Sequence, residues 1–511
     1  MCFSVRRAIL DFGSQYTQLI ARRIRSLQVF SVILPYNATR EDIELFHPSG
    51  LILSGGPSSV YGPHAPLPHS TIFDIGVPVL GICYGMQLLA HLGGGKIAPS
   101  PQREYGFAEL EFVKSSPLFE GVPDGSQVWM SHGDKVGDLP EGFEMVARSD
   151  RAPAAMHNLV LKHFAVQFHP EVVHTVEGGK ILSNFVFGIC GAKATWTMPS
   201  FIEETIRRVR ERVGEKKVVL GLSGGVDSTV LAVLLHRALG DRLICVFVDN
   251  GVLRLGEAKK VAETFQKHFK MKLHVADARQ KFLKALRGVD HPEKKRKIIG
   301  KVFVKVFFKA MPKFDFLAQG TLYPDVIESV STKGPSDTIK THHNRVDQIL
   351  KLKKAGRVLE PFEELFKDEV RLIGRELGLP DEIINRHPFP GPGLAIRVMG
   401  AVNEERLDIL RRADAILIEE IKAAGLYEKI WQSFCVLLPV RTVGVMGDQR
   451  TYGQVVALRI VESVDGMTAD YVVPPKSLIT RITARIVGEI KEINRVVLDV
   501  TSKPPGTIEW E

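Results

Sequence analysis

Long apolar runs are missing from this chain. No stretch of about 18 uncharged apolar residues occurs in its 511, so no membrane-spanning helix is expected. A secretory core is missing too, since only Ala8, Ile9 and Leu10 separate the first arginines from Asp11. Cysteine is scarce and scattered: Cys2, Cys83, Cys190, Cys245 and Cys435 form no Cys-x-x-Cys pair. That spacing argues against a disulfide framework or a zinc site and fits a reducing cytoplasm. There is no internal repeat and no low-complexity tract. A glycine-rich turn after an apolar run, Leu222 to Ser228, lacks the Gly-Lys-Ser/Thr ending of a nucleoside-triphosphate P-loop.

What is present is ordinary for a globular protein, with 45% hydrophobic and 24% charged residues. The length exceeds one hydrophobic core and predicts roughly three domains. A formal charge of +9 suits anionic ligands, and by itself gives no reason to expect a nucleic acid.

Along the chain, short apolar runs alternate with helix-like segments up to about Lys193 ("RRAIL", "GLILSGG", "VPVLGIC", "FAVQFHPE"), which predicts an open α/β domain over 1–195. The stretch "GAKATWTMPS" reads as a linker. A second open α/β domain is expected over 196–387, with strands at "KKVVLGLS", "RLICVFVDNG", "KLHVADA" and "FLAQG". The remainder, 388–511, enters through the Pro/Gly-rich "HPFPGPGLAIRV" and reads as α+β.

Cys83 lies between Gly81 and Gly85 where a strand gives way to a helix. Alone it would read as a buried structural thiol. Small flanking residues allow a nucleophile elbow, and a thiolate there gains from the positive end of the helix dipole. In "VQFHPEV", His169 and Glu171 lie two apart at a strand's expected end and can share one face. A carboxylate that orients an imidazole, which in turn serves a thiolate, follows triad logic. Gly55 and Gly56 close another strand and offer backbone N–H groups for an oxyanion hole. With Gly-x-Cys-x-Gly and His-Pro-Glu in this order, the segment resembles the class I glutamine amidotransferases. The resemblance implies hydrolysis of glutamine's side-chain amide through a thioester on Cys83, releasing ammonia. It also implies that Tyr84, Gln87, Ser131, His132 and Gly133 help to bind glutamine or its oxyanion.

The second constellation is the turn itself. Glycines let backbone N–H groups face inward as an anion nest, and the following helix adds its dipole. Ser223, Gly224, Gly225, Val226, Asp227 and Ser228 supply the nest and its hydroxyls, and Asp227 offers an oxygen ligand for Mg²⁺. These six positions resemble the signature of the ATP pyrophosphatases. That family grips the β,γ-pyrophosphate as a leaving group, so attack falls on the α-phosphorus. Asp249 at a strand end, Gln319, Gly320 and Thr321, and the acids Asp325 and Glu328 fit such a site. Lys340, His342 and His343 form a cluster, for which the family suggests a mobile lid. Lys297, Lys301, Lys305, Lys309 and Lys313 recur every fourth residue. They read as a solvated helix face; an RNA-binding stripe would call for interleaved exposed aromatics, and none is evident.

An amidotransferase followed by "SGGVDS", "HPFPGPGLAIRV", "VGVMGDQRTY" and "TSKPPGTIEWE" resembles, over essentially the whole chain, the glutamine-hydrolysing GMP synthetases. The resemblance implies XMP, ATP and glutamine as small-molecule substrates, Mg²⁺ with the ATP, a cytoplasmic enzyme, and a homodimer formed through 388–511. It places Pro390, Gly391, Gly393, Arg441, Gln449, Lys503, Ile508 and Glu509 at the XMP site. One departure is Gly506, where the family pattern has alanine.

Overall fold

The structure, a computed structural model, describes residues 6–149, 152–330, 347–446, 449–463, 466 and 468–511. Lys340, His342 and His343, expected as a lid, lie outside the described residues. The chain divides into two compact units; the first runs to Glu204, and the second takes up the chain at Thr205 and includes residues 347–511.

The first unit holds strands β1 (Arg6–Asp11), β2 (Phe30–Pro35), β3 (Pro48–Leu53), β4 (Val79–Ile82), β5 (Lys96–Glu109), β6 (Glu111–Phe112), β7 (Gln127–Asp138), β8 (Glu144–Arg148), β9 (Pro153–Asn158) and β10 (His163–Val166). Its main sheet runs β2-β1-β3-β4-β10-β9-β8-β6. The pairs from β2 to β10 are parallel, and β9, β8 and β6 continue antiparallel. Ala8 to Leu10, Leu51 to Leu53, Val79, Leu80 and Ile82 are all buried, as strands covered on both faces require. β5 and β7 form a separate antiparallel pair. The linker "GAKATWTMPS" is anchored rather than loose. Trp196 is buried, donates its backbone N–H to the Gln28 carbonyl at 2.8 Å, and packs 4.6 Å from the Phe30 ring.

The second unit begins with five parallel strands, β11 (Val218–Leu222), β12 (Leu243–Asp249), β13 (Leu273–Asp277), β14 (Phe316–Ala318) and β15 (Val358–Leu359), in the order β13-β12-β11-β14-β15. From β11 the chain steps outward to β12 and β13, then crosses to β14 on the other side. The reversal sets a switch point between β11 and β14, where open α/β sheets take ligands at their carboxyl ends.

Beyond these lie β16 (Gln432–Met446), β17 (Gln449–Glu462), β18 (Asp470–Tyr471) and β19 (Ile493–Asp499). β17 pairs antiparallel with β16 and β18 and parallel with β19. Two helices cover this sheet, Glu404–Ala423 and Lys476–Glu489. The first starts where the Asn403 side chain accepts the Arg406 N–H at 2.8 Å and Glu404 and Glu405 meet the dipole. Its Leu407, Leu410, Ala413, Leu417 and Ile421 are buried along one stripe. One cluster joins Val246 and Val248 of β12 with Leu394, Leu410, Leu458 and Ile482, so the core is continuous across residue 388.

The lysine stripe lies on helix Pro292–Ala310, with Lys297, Lys301, Lys305 and Lys309 exposed and Ile299, Val306 and Phe307 buried. Lys313 stands past the helix. The helix stops short of Pro312, whose ring disfavours helical backbone at the residue before it.

Candidate active sites

β3, β4 and β10 are sheet neighbours and run parallel, so their carboxyl ends lie side by side. Gly55, Cys83 and His169 follow those ends, which is how residues far apart in sequence meet. Cys83 caps the helix Tyr84–Leu92 with φ 53° and ψ −103°. Left-handed backbone at a non-glycine residue costs about 1–3 kcal/mol and persists where the surroundings impose it. Here they do: a Cβ on Gly81 would stand 2.5 Å from the Gly85 carbonyl oxygen, and Gly85 in turn lies against the Leu53 carbonyl. The Cys83 N–H donates to the Val166 carbonyl at 2.8 Å, tying the elbow to β10.

His169 Nδ1 lies 2.7 Å from Glu171 Oε1, with both side chains buried. The histidine backbone is held at both ends, its N–H donating to the Trp129 carbonyl at 3.1 Å and its carbonyl accepting from Thr175 Oγ1 at 2.6 Å. Burial works against a charged imidazole. The Glu171 carboxylate and a hydrogen bond to the Cys83 sulfur outweigh it and hold His169 well above its ordinary value. A Cβ on Gly55 would be 3.1 Å from His169 Cε1 and 3.7 Å from Cys83 Cβ, so that backbone lines the corner these two residues share. A Cβ on Gly56 would meet Phe12 and the Tyr84 ring.

β7 brings up the expected glutamine-binding segment. Cys83 Sγ is 3.6 Å from the Ser131 carbonyl, and both Gln87 Nε2 and His132 Nδ1 lie 3.0 Å from the Asp134 carbonyl. Gly133 sits on the same strand. Tyr84 is buried, donates its hydroxyl to the Pro66 carbonyl at 3.2 Å, and has its phenol pushed by burial to about 12. β10 ends at Val166, so His169 and Glu171 lie on the segment after the strand, not at its last residues. Sequence reasoning missed Thr175 and Gln167. Gln167 stands in the very motif that carried the histidine, and its Nε2 is 3.8 Å from Cys83 Sγ.

In the second unit the glycine-rich turn from Ser223 to Ser228 is already folded. Gly225 caps helix Val226–Leu239, Ser223 Oγ lies 3.0 Å from Ser228 Oγ, and the Gly225 N–H donates to Ser223 Oγ at 3.2 Å. Arg386 donates to the Gly224 carbonyl at 2.7 Å and forms an ion pair with the buried Glu257, a brace that the local motif gave no sign of. Gly320 comes from β14 across the switch point; a Cβ there would be 4.0 Å from the Ser228 backbone nitrogen. Gln319 precedes it, its N–H on the Leu359 carbonyl at 2.9 Å. Asp249 ends β12 and accepts the Gly251 N–H at 3.0 Å. Thr321 donates to Glu360 at 2.7 Å, and Asp325 accepts the Leu322 N–H at 3.1 Å.

Asp227 fits a divalent cation shared with a nucleotide. Its Oδ1 is buried with no hydrogen-bond partner among the described residues, and its Oδ2 is 3.7 Å from Lys367 Nζ. No group of three metal-ligating side chains occurs among the described residues, so such an ion would take its other ligands from phosphate and water, as Mg²⁺ commonly does.

The Pro/Gly segment sits on the carboxyl edge of this sheet. Gly393 has φ 62°, and the next N–H, of Leu394, donates to the Val252 carbonyl at 2.7 Å; a Cβ on Gly393 would collide with that same oxygen. Pro390 is half-buried and Gly391 exposed. The tail is docked. Arg397 donates to Glu509 at 2.7 and 3.0 Å, and Gln432 Nε2 donates to it at 2.9 Å. Ile508 and Trp510 pack on Phe434, Val436 and Ala457, while Lys503 Nζ donates to the Gly466 carbonyl at 2.7 Å. A Cβ on Gly506 would stand 2.9 Å from the Thr501 methyl, so an alanine there would require a small shift. Arg441 is exposed on β16 and Gln449 begins β17; among the described residues no hydrogen bond or ion pair joins Arg441 to Lys503.

Family models match for glutamine amidotransferase class-I over residues 8–189, NAD synthase over 199–302 and the GMP synthase C terminal domain over 419–510. A glutamine-hydrolyzing GMP synthase of Nitratiruptor sp. is 57% identical, with 98% of this chain and 99% of that protein covered. One of Aquifex aeolicus is 54% identical, with 99% and 100% covered.

The buried pair has a consequence for pH. What it contributes to stability is complete below about 6.5, the unfolded imidazole value, and is lost as pH rises through the raised folded value. Glu171→Gln keeps the shape and removes the charge. NMR titration of labelled histidine should show His169 above the ordinary value in the unaltered protein and lower in the variant; equal midpoints would refute the assigned role of Glu171.

Proposed function

Because the chain belongs to the family of glutamine-hydrolysing GMP synthases, a ligase of purine nucleotide biosynthesis, we propose that its own residues divide the synthesis between two sites. The first site, within 1–195, hydrolyses glutamine. The Cys83 thiolate adds to the side-chain amide carbon, and the oxyanion is met by backbone N–H groups at Gly55, Gly56 and Tyr84. His169 gives its proton to the departing nitrogen, which leaves as ammonia. It then takes a proton from the water that cleaves the thioester to glutamate. Glu171 keeps the imidazole oriented and stabilises its charged form. Gln87, Ser131, His132 and Gly133 hold the substrate.

The second site uses 196–387 with 388–511. ATP's pyrophosphate is received by Ser223, Gly224, Gly225, Val226 and Ser228, with Asp249, Gln319 and Gly320 around the nucleotide. Mg²⁺ held by Asp227 would neutralise charge on the phosphates. The C2 oxygen of XMP attacks the α-phosphorus, pyrophosphate leaves, and ammonia then attacks C2 and expels AMP to give GMP. Attack at the α-phosphorus leaves nothing for a P-loop lysine to do on a transferring γ-phosphoryl group, which fits the missing lysine. Ammonia must arrive unprotonated, since ammonium has no lone pair to attack with. XMP is received by Pro390, Gly391, Gly393, Arg441, Gln449, Lys503, Ile508 and Glu509. The observation that carries this reading is the Leu394-to-Val252 bond, which sets the Pro/Gly segment beside the carboxyl ends of the strands that bear the phosphate turn. The cysteines among the described residues are unpaired, which supports a cytoplasmic setting.

A homodimer through 388–511 is part of the proposal. Val443 and Tyr452 are cross-strand partners on β16 and β17, both exposed, and Val445 follows at 77% exposure. Such an apolar face is suited to a second copy.

Cys83→Ala should abolish GMP formation from glutamine and spare formation from added ammonia, with AMP and pyrophosphate as co-products. Loss of both nitrogen sources, or formation of ADP and phosphate, would contradict the two-site account. Val445→Asp should shift the sedimentation of the protein toward the monomer; an unchanged dimer would place the interface elsewhere.

A further inference from the structure

We infer that Gln167 is a further residue of the glutaminase centre, its amide N–H holding the Cys83 sulfur in the charged, attacking form. The inference rests on Cys83 as the nucleophile. Gln167 is wholly buried immediately after β10, and its backbone N–H donates to the Ala154 carbonyl at 2.8 Å, so its starting point is rigid. Its Nε2 is 3.8 Å from Sγ, and the Ser131 carbonyl is 3.6 Å from the same sulfur.

The two contacts have opposite polarity. A carbonyl oxygen can only accept, so it favours the protonated thiol; an amide N–H can only donate, so it favours the thiolate. When the proton passes to His169, the contact with Ser131 loses its donor and the one with Gln167 strengthens, because hydrogen bonds to ions exceed those to neutral groups. Stability alone gives a weak reason for glutamine here. Its Oε1 is buried with no hydrogen-bond partner among the described residues, a cost that leucine or methionine would avoid. Around the sulfur, the titratable groups are His169 with Glu171 behind it, Tyr84 at the start of the helix, and His132 and Asp134 further along β7.

The test uses the full chain and iodoacetamide. Gln167→Leu and Gln167→Met remove the donor and keep the bulk, and alkylation of the Cys83 peptide is followed by mass spectrometry across pH. Both variants should react on the order of tenfold more slowly at neutral pH, with the midpoint moved upward. The kcat for glutamine hydrolysis should fall in parallel while KM changes little. Thermal unfolding is measured alongside. Variants that unfold earlier yet keep the alkylation rate and midpoint of the unaltered protein would show Gln167 to be packing alone and overturn the inference. An error in the underlying assignment reads differently, because Cys83→Ala would then retain glutaminase activity.

Discussion

Three cations withdrawn completely from water decide where the end of this chain lies. Arg397 is met by both oxygens of Glu509, Arg459 by Asp499 at 3.4 Å and the carbonyls of Thr501, Thr507 and Ile508, and Lys295 by Glu511. Leaving one such charge unpaired costs about 3–5 kcal/mol, more than a short tail gains by fraying. The Arg397 guanidinium also lies 3.9 Å over the Phe434 ring, so its flat face is covered as well. Lys503, Ile508 and Glu509 therefore belong to an ordered element, and the ordering cost that binding would otherwise carry is already met in folding.

The same rule governs the first unit in miniature. His169 can carry charge in a buried corner because Glu171 stands directly behind it and the Cys83 sulfur lies before it. The geometry comes from the sheet: three adjacent parallel strands end together, so their following residues meet without long loops. In the second unit the reversal between β11 and β14 does the corresponding work for the phosphate turn, with Gly320 arriving from one side and Ser223 to Ser228 from the other.

Much of this was legible in the order of residues. Apolar runs before Cys83 and Ser223 announced buried parallel strands, and glycines at fixed offsets announced the turns. Ile508, placed by the resemblance in the tail, is packed there beside Trp510. What escaped reading is what depends on distant partners. Glu509 meets a residue 112 positions upstream, and Arg386 braces Gly224 from 162 positions downstream. No local period encodes such pairs. The helix Glu404–Ala423 carries its own local signals, the Asn403 cap and one apolar stripe, whereas β19 acquires its meaning only from its pairing with β17. Gln167 was overlooked because a glutamine beside a histidine carries no signal until its distance to sulfur is known.

The central claim is that the phosphate turn holds a leaving pyrophosphate while the XMP oxygen bonds to the α-phosphorus. XMP labelled with ¹⁸O at C2 tests it most directly, because that oxygen must leave the purine when GMP forms. The account predicts the label in the phosphate of AMP and none in pyrophosphate. Label in pyrophosphate, or in inorganic phosphate formed beside ADP, would contradict it.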